Sequence, residues 1–238
     1  MKVLGLLTGR GNNTLENKNL LQVRGHPLLS YPARIASSIK EITHLAASSD
    51  DLMILDEAQK YDFEKIVRPS ELAQNNSPHI DAILHSLDYL KNKGMEFDIV
   101  CVFLANTVTL KRSWVRECIN ILSNNNDASA VCPVRVDQDH HPYRAKRRNS
   151  EGYLESFFDF NGESISTNRQ DLIEGLFLAH NFWVIKVSSI YDNNGRAPWT
   201  FMGDKVIPYV IDEAFDVHSL RDIALSEMWL KKNDDYDK

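Results

Sequence analysis

The stretch MKVLGLLTGRGNNTLENKN, residues 1–19, decides how the rest of the chain is read. Its apolar run, 1–7, stops abruptly at Thr8-Gly9-Arg10-Gly11. A short, continuously apolar run of this kind suits a strand buried on both faces of a parallel sheet. The loop that follows carries Gly9, Gly11, Arg10 and Lys18 just past the strand's carboxyl end. Open α/β sheets bind ligands at that edge. Glycine lets the backbone approach a phosphate, and exposed N–H groups act as donors. Arg10 and Lys18 bring the charge a polyphosphate needs. The loop has neither GxxxxGK[ST] nor GxGxxG, so it is neither a P-loop nor a dinucleotide fingerprint.

Working outward, strands and helices alternate. Apolar residues recur at helical spacing over 28–39, and 49–61 reads as a second helix after a short strand at 44–48. Ile66-Val67 marks another strand. Ile80, Ile83, Leu84, Leu87 and Leu90 form the stripe of an amphipathic helix over 79–90. The most hydrophobic strand candidate is 98–104, followed by a helix over 113–122 and a strand over 129–136. This order implies an open, parallel α/β sheet with helices on both faces. The pattern breaks after about residue 137. Residues 138–149 are polar and basic, and 152–160 alternate as a partly antiparallel insertion would. Strands at 180–187 and 205–210 and a helix at 219–232 complete the body. Ser219 with Asp222 makes an imperfect capping box, and the charged tail 233–238 is expected to fray.

The composition bounds the function. The chain has 238 residues, a formal net charge of −6 and a globular share of charged residues, 25%. No apolar run approaches the roughly 18–20 residues that span a bilayer, and the opening run is too short for a secretory leader. A cytoplasmic protein without membrane contact is expected. The mild acidity argues against a nucleic-acid binder but leaves room for a local basic pocket. Cys101, Cys118 and Cys132 have no CxxC or zinc spacing and read as buried free thiols.

Further segments, in order, carry a family resemblance. Gly9-Arg10, Lys18-Asn19 and Gly25-His26-Pro27-Leu28-Leu29-Ser30-Tyr31 match the opening motif of the acylneuraminate cytidylyltransferases, the CMP-sialate, CMP-nonulosonate and CMP-Kdo synthetases. Ser48-Ser49-Asp50 resembles that family's STD, and Arg68-Pro69-Ser70-Glu71-Leu72-Ala73 its RPxELA. His85 takes a helix histidine's place. LANTVTLK, residues 104–111, is similar to LQPTSPLR, with Ala105 where the family has glutamine. Arg169-Gln170-Asp171-Leu172 resembles RQxLP, and residues 180–185 stand in for NGAIYI. Asp216-Val217-His218-Ser219 with Asp222 resembles DIDTxxD. The loop runs one residue short, and its lysine is replaced in the region of Asn12, Asn13 and Thr14.

The resemblance implies a Rossmann-like nucleotide-diphospho-sugar transferase fold. It would be a single domain over 1–238, with a mostly parallel sheet and an inserted dimerisation and substrate arm at about 138–178. It also implies transfer of CMP from CTP to an acidic 2-keto-3-deoxy sugar with release of pyrophosphate, in a homodimer. Arg10 and Lys18 would hold the triphosphate, with Gly9, Gly11, Asn12 and Asn13 lining the loop. Asn19 and Arg68 would sit near ribose and cytosine. His79 would take the place of a serine at the base, and Asn106 would join the nucleotide site. Arg169, beside Gln170, is the first candidate for the sugar carboxylate, with Arg144, Lys146, Arg147 and Arg148 as helpers. His180 or Asn181 would face the sugar. Phe182, Trp183, Trp199 and Phe201 read as core or interface before sugar platforms.

A two-aspartate site suits Mg²⁺, a hard cation that wants oxygen ligands. Here Asp216 remains and His218 replaces the second carboxylate. Imidazole is a poor Mg²⁺ ligand. Asp216 would hold Mg²⁺ with triphosphate oxygens and waters, or His218 acts as a base or donor, or the site is impaired. A hydroxide on the metal is the alternative base. Two rival functions stay open: a nucleotidyltransferase with another nucleotide or acceptor, and a catalytically weak nucleotide-binding homologue.

Overall fold

The computed structural model describes residues 1–11 and 15–233. Twelve strands lie among them: β1 (Val3–Thr8), β2 (Gln22–Val23), β3 (His26–Pro27), β4 (His44–Ser49), β5 (Glu64–Val67), β6 (Ile99–Leu104), β7 (Ala130–Val136), β8 (Lys146–Arg148), β9 (Leu154–Ser156), β10 (Leu176–Leu178), β11 (Phe182–Lys186) and β12 (Val206–Val210). The α-helices are α1 (Ser30–Ser37), α2 (Leu52–Gln59), α3 (His79–Asn92), α4 (Arg112–Ser123), α5 (Val187–Asp192) and α6 (Leu220–Lys232).

β1 lies at the heart of an eight-stranded sheet, between β4 and β6 and parallel to both. All six of its residues are buried, as a strand covered on both faces requires. Its side chains alternate between two cores. Val3 and Leu7 pack with α1, α2, α4 and α6 on one face. Leu4 and Leu6 pack with Ile83, Leu87 and Leu90 of α3 on the other. By the same period of two, Thr8 points toward the α3 face. Each fully buried leucine contributes about 1.5–3 kcal/mol.

The expected parallel order needs one correction. β11 runs antiparallel to β6, with Val184 opposite Cys101, and also antiparallel to β7. β10 is antiparallel to β7, whereas β12 is parallel to it. The sheet is therefore mixed, though still mostly parallel. The chain leaves β7 for the insertion and returns without a helical crossover, so nothing forces β11 into the parallel direction. The insertion holds a small antiparallel ribbon, with Arg147 of β8 opposite Glu155 of β9, as the alternation over 152–160 suggested.

Helix boundaries also shift for physical reasons. The helix read from residue 49 starts at Leu52, because Ser49 finishes β4 and Asp51 caps the helix by accepting from Met53 N at 2.8 Å. At α6 the Asp222 carboxylate accepts from the N–H groups of Ser219 at 2.8 Å and His218 at 3.0 Å. All three cysteines are buried and unpaired, and burial raises each thiol far above its ordinary range. No helix among the described residues is long and apolar enough to cross a membrane.

Candidate active site

The carboxyl ends of β1, β5 and β6 converge on a cavity of about 270 Å³. Its lining brings together Thr8, Gly9, Arg10, Lys18, Asn19, Arg68, His79 and Asn106. Seven of these were expected at the nucleotide from separated segments. Asn12 and Asn13 lie outside the described residues.

The loop after β1 is held by its neighbours. Gly9 N donates to Ser48 O at 3.2 Å, Gly11 N donates to Asp50 Oδ1 at 3.0 Å, and Asn19 Nδ2 donates to Arg10 O at 3.0 Å. The glycines answer to close approach. A Cβ on Gly9 would stand 3.1 Å from both Ala105 Cβ and Asn19 Nδ2, and one on Gly11 would stand 2.8 Å from Asp51 Cβ. Arg10 reaches across the mouth and donates from Nη1 to Gln74 O at 2.8 Å. It therefore links the loop after β1 to the loop before α3. Leu72, Gln74, Asn75, Ser77 and Pro78 of that second loop also line the cavity. Sequence reading missed the three polar ones, because an isolated Gln, Asn or Ser in a loop carries no spacing signal.

Arg68 is fixed at the end of β5. Its Nε donates to Ser48 Oγ at 3.1 Å and its Nη2 to Ser48 O at 2.7 Å. Burial pulls its pKa down to about 10, with Asp50 opposing and Arg10 reinforcing the shift; it stays charged at neutral pH. Lys18 is shifted down by burial, Asp216 pulls it back up, and Arg10 pushes it down. His79, in the first turn of α3, meets Thr8 Oγ1 at 2.9 Å through Nε2 and lies against Trp183 at 5.3 Å between ring centroids. Desolvation first, then Arg68 and His180, lower its pKa to about 4, so the ring is neutral at pH 7.

A second group stands beside the cavity. The segment before α6 is pinned to the loop after β6: Val217 N donates to Asn106 O at 2.9 Å, and Thr107 Oγ1 donates to Phe215 O at 3.0 Å. This places Asp216 between Asn106, whose amide donates to Oδ1, and His218, whose Nε2 is 2.8 Å from Oδ2. His180 is lowered by desolvation, raised by Asp216 and lowered by His218, so all three share one electrostatic neighbourhood. Its ring packs on Trp183 and Trp199 at 5.8 and 5.5 Å.

None of the four residues expected at the substrate lines this cavity. Asn181 is fully buried; its amide donates to Thr109 O at 2.9 Å and its Oδ1 accepts from Phe182 N at 2.9 Å. It secures the entry to β11 and does not face a sugar, which leaves His180 as the candidate of that pair. Arg169 sits on the inserted arm with Gln170, both exposed, and its Nη1 is ion-paired to Asp139 Oδ1 at 2.5 Å. Neither lines the cavity. Phe182, Trp183 and Phe201 are buried core residues, as read.

The arrangement can hold a polyanion between a glycine loop and three cations, beside a lone carboxylate. The chain is 22% identical over 133 residues to a Helicobacter pylori protein described as pseudaminic acid cytidylyltransferase and UDP-2,4-diacetamido-2,4,6-trideoxy-beta-L-altropyranose hydrolase, covering 55% of this chain and 25% of that one. It is 25% identical over 119 residues to the pseudaminic acid cytidylyltransferase of Campylobacter jejuni, covering 49% and 51%. The aligned part spans about half or less of these curated relatives. Two solved structures share the fold across the chain. A CMP:2-keto-3-deoxy-manno-octonic acid synthetase complexed with CTP has a TM-score of 0.72 at 10% identity, covering 98% of this chain and 100% of that one. The 4-diphosphocytidyl-2C-methyl-D-erythritol synthase of Anaerococcus prevotii has a TM-score of 0.65 at 14% identity, covering 97% and 98%. The cytidylyltransferase family model matches residues 11–151, more than half of the sequence; the chain belongs to the cytidylyltransferase family.

Proposed function

We propose that this protein transfers CMP from CTP to an acidic 2-keto-3-deoxy sugar of the nonulosonate kind and releases pyrophosphate, as a step toward a surface glycan. The observation that carries this reading is the convergence of Gly9, Arg10, Lys18, Arg68 and Asn106 on one cavity at the carboxyl edge of the sheet. The sugar's anomeric hydroxyl attacks the α-phosphorus in line and gives its proton to a base, for which His218 is the candidate side chain; the bond to the β,γ-diphosphate breaks, and pyrophosphate leaves with the electron pair. Arg10 and Lys18 stabilise the charge that moves onto the leaving oxygens. No side chain is required as a covalent nucleophile. Arg169 and the basic ribbon Lys146, Arg147 and Arg148 lie on the exposed arm, so they serve the sugar carboxylate only where the arm meets a site.

Mg²⁺ is the cofactor this chemistry calls for, and the residues fit one mode of holding it. Mg²⁺ is commonly bound by one or two carboxylates together with substrate phosphates. Asp216, half-buried and electrostatically coupled to Lys18 at the cavity, is that carboxylate. The described residues contain no cluster of three or more His, Cys, Asp or Glu side chains that could hold an ion unaided, which agrees with a cation brought in with the nucleotide. When bound it would neutralise triphosphate charge. Asp216 orients His218 by accepting from Nε2.

Two further elements of the reading rest on the surface and the thiols. The arm exposes Tyr153, Leu154, Phe157 and Phe158 beside its basic ribbon, an apolar area suited to a second copy of the chain, and we assign the protein as a homodimer. Three unpaired buried thiols suit a reducing compartment, which supports a cytoplasmic reaction. Pyrophosphate release that needs both CTP and an acidic keto sugar tests the reading. Thermal stabilisation by CTP without turnover would indicate a nucleotide-binding homologue instead.

A further inference from the structure

Two kinds of residue line the cavity. Arg10 and Lys18 bring cations from the loop after β1. Leu72, Pro78, Ala82 and Leu104 supply apolar wall, with Arg68 and His79 as its charged and aromatic polar groups. A phosphate gains nothing from apolar walls, whereas a planar base does. His79 is the residue an anion site does not call for. Its ring is kept neutral by burial, with Arg68 nearby, so it brings no charge to a triphosphate.

Its tautomer follows from its partner. Thr8 Oγ1 lies 2.9 Å from His79 Nε2 and 3.4 Å from Phe103 O. A hydroxyl carries one proton, and a carbonyl oxygen can only accept. Both contacts are hydrogen bonds only if Thr8 donates to Phe103 and accepts from an Nε2–H on His79. The other nitrogen, Nδ1, then carries a lone pair and no proton. With Nε2 engaged by Thr8, Nδ1 is what this side chain can offer a ligand. Trp183 packs against the ring at 5.3 Å and limits its rotation. Arg68 stands beside it as a fixed donor, its Nε and Nη2 already held by Ser48.

We propose that His79 selects the nucleobase, accepting on Nδ1 a hydrogen bond from the exocyclic amine of cytosine and rejecting uracil. Cytosine presents an amine donor next to two acceptors, which meets an acceptor at His79 and a donor at Arg68. Uracil presents a carbonyl and an N–H in those places, so lone pair would face lone pair and donor would face donor. Such mispairing discriminates strongly, by a factor on the order of 10² or more. This inference rests on the reading that the cavity takes a nucleoside triphosphate. CTP and UTP carry the same triphosphate, so their ratio reports the base compartment alone.

The test measures CTP and UTP affinity by calorimetry on the full chain and two variants. The unaltered protein should bind CTP about 100-fold more tightly than UTP. His79→Leu should lower CTP affinity, raise UTP affinity, and collapse the ratio to a few-fold. His79→Asn, whose amide oxygen reaches the Nδ1 position, should retain part of the preference. A ratio unmoved in His79→Leu would overturn the inference while leaving the nucleotide reading intact. Absence of binding by either nucleotide to the unaltered protein would overturn both. Nitrogen NMR of the unaltered protein provides a check that does not depend on variants folding. Nδ1 of His79 should resonate as an unprotonated nitrogen at pH 7 and shift on adding CTP but not UTP, and a protonated Nδ1 would refute the assignment.

Discussion

At the scale of single residues, the site is a set of cations held by the groups around them. Arg68 is oriented by Ser48, Lys18 is balanced by Asp216, and Arg10 is tied to the carbonyl of Gln74. Asp216 is the carboxylate that acts on Lys18 and would meet the proposed cation. Asp216→Ala should therefore lower kcat by on the order of 10²-fold or more, as loss of an electrostatic stabiliser does, with CTP affinity reduced to a lesser degree. Steady-state kinetics in saturating Mg²⁺ would check this, and a variant with normal turnover would remove Asp216 from the chemistry. Much of this site was legible in the sequence because charged residues and glycines at a strand's end signal by type. Arg10, Lys18, Arg68 and Asn106 come from four separate segments and meet as expected. Asn181 misled, because an asparagine at a strand's start looks available from sequence alone. Here its amide is consumed by Thr109 and Phe182.

At the scale of elements, the cap of α6 and the direction of β11 are the instructive cases. The Asp222 carboxylate is partly buried, which disfavours its charge, yet the donors of His218 and Ser219 outweigh burial and hold it below the usual carboxylate range. A group shifted this way stabilises the fold above its unfolded pKa, and that contribution is lost as pH falls through the lowered folded value. Asp222→Asn should then lose stability near neutral pH, by about 0.5–2 kcal/mol. It should also show a shallower fall in stability on acidification than the parent, as read by denaturant unfolding at several pH values. Equal acid slopes would mean that the cap does not titrate with folding. The capping signal was visible in the sequence as Ser219 and Asp222. The direction of β11 was not, because a buried apolar run looks the same whichever way it runs. Its antiparallel pairing with β6 became visible only with the register.

At the scale of the whole molecule, an acidic chain encloses a basic cavity and extends an arm with exposed aromatic residues. The net charge of −6 says little about the site, because the cations sit at one sheet edge. If the arm joins two copies, Leu154→Glu with Phe157→Glu should yield a monomer by light scattering without loss of the α/β core, whereas an unchanged mass would place any interface elsewhere. The central claim concerns what the cavity does. Its most direct test incubates the protein with CTP, Mg²⁺ and a panel of acidic 2-keto-3-deoxy sugars, following pyrophosphate and the nucleotide product by mass. We predict pyrophosphate release matched by a CMP–sugar product, dependent on both CTP and an acidic keto sugar. Failure to form product with any member of that panel, alongside turnover of a sugar phosphate or another nucleotide, would contradict the account.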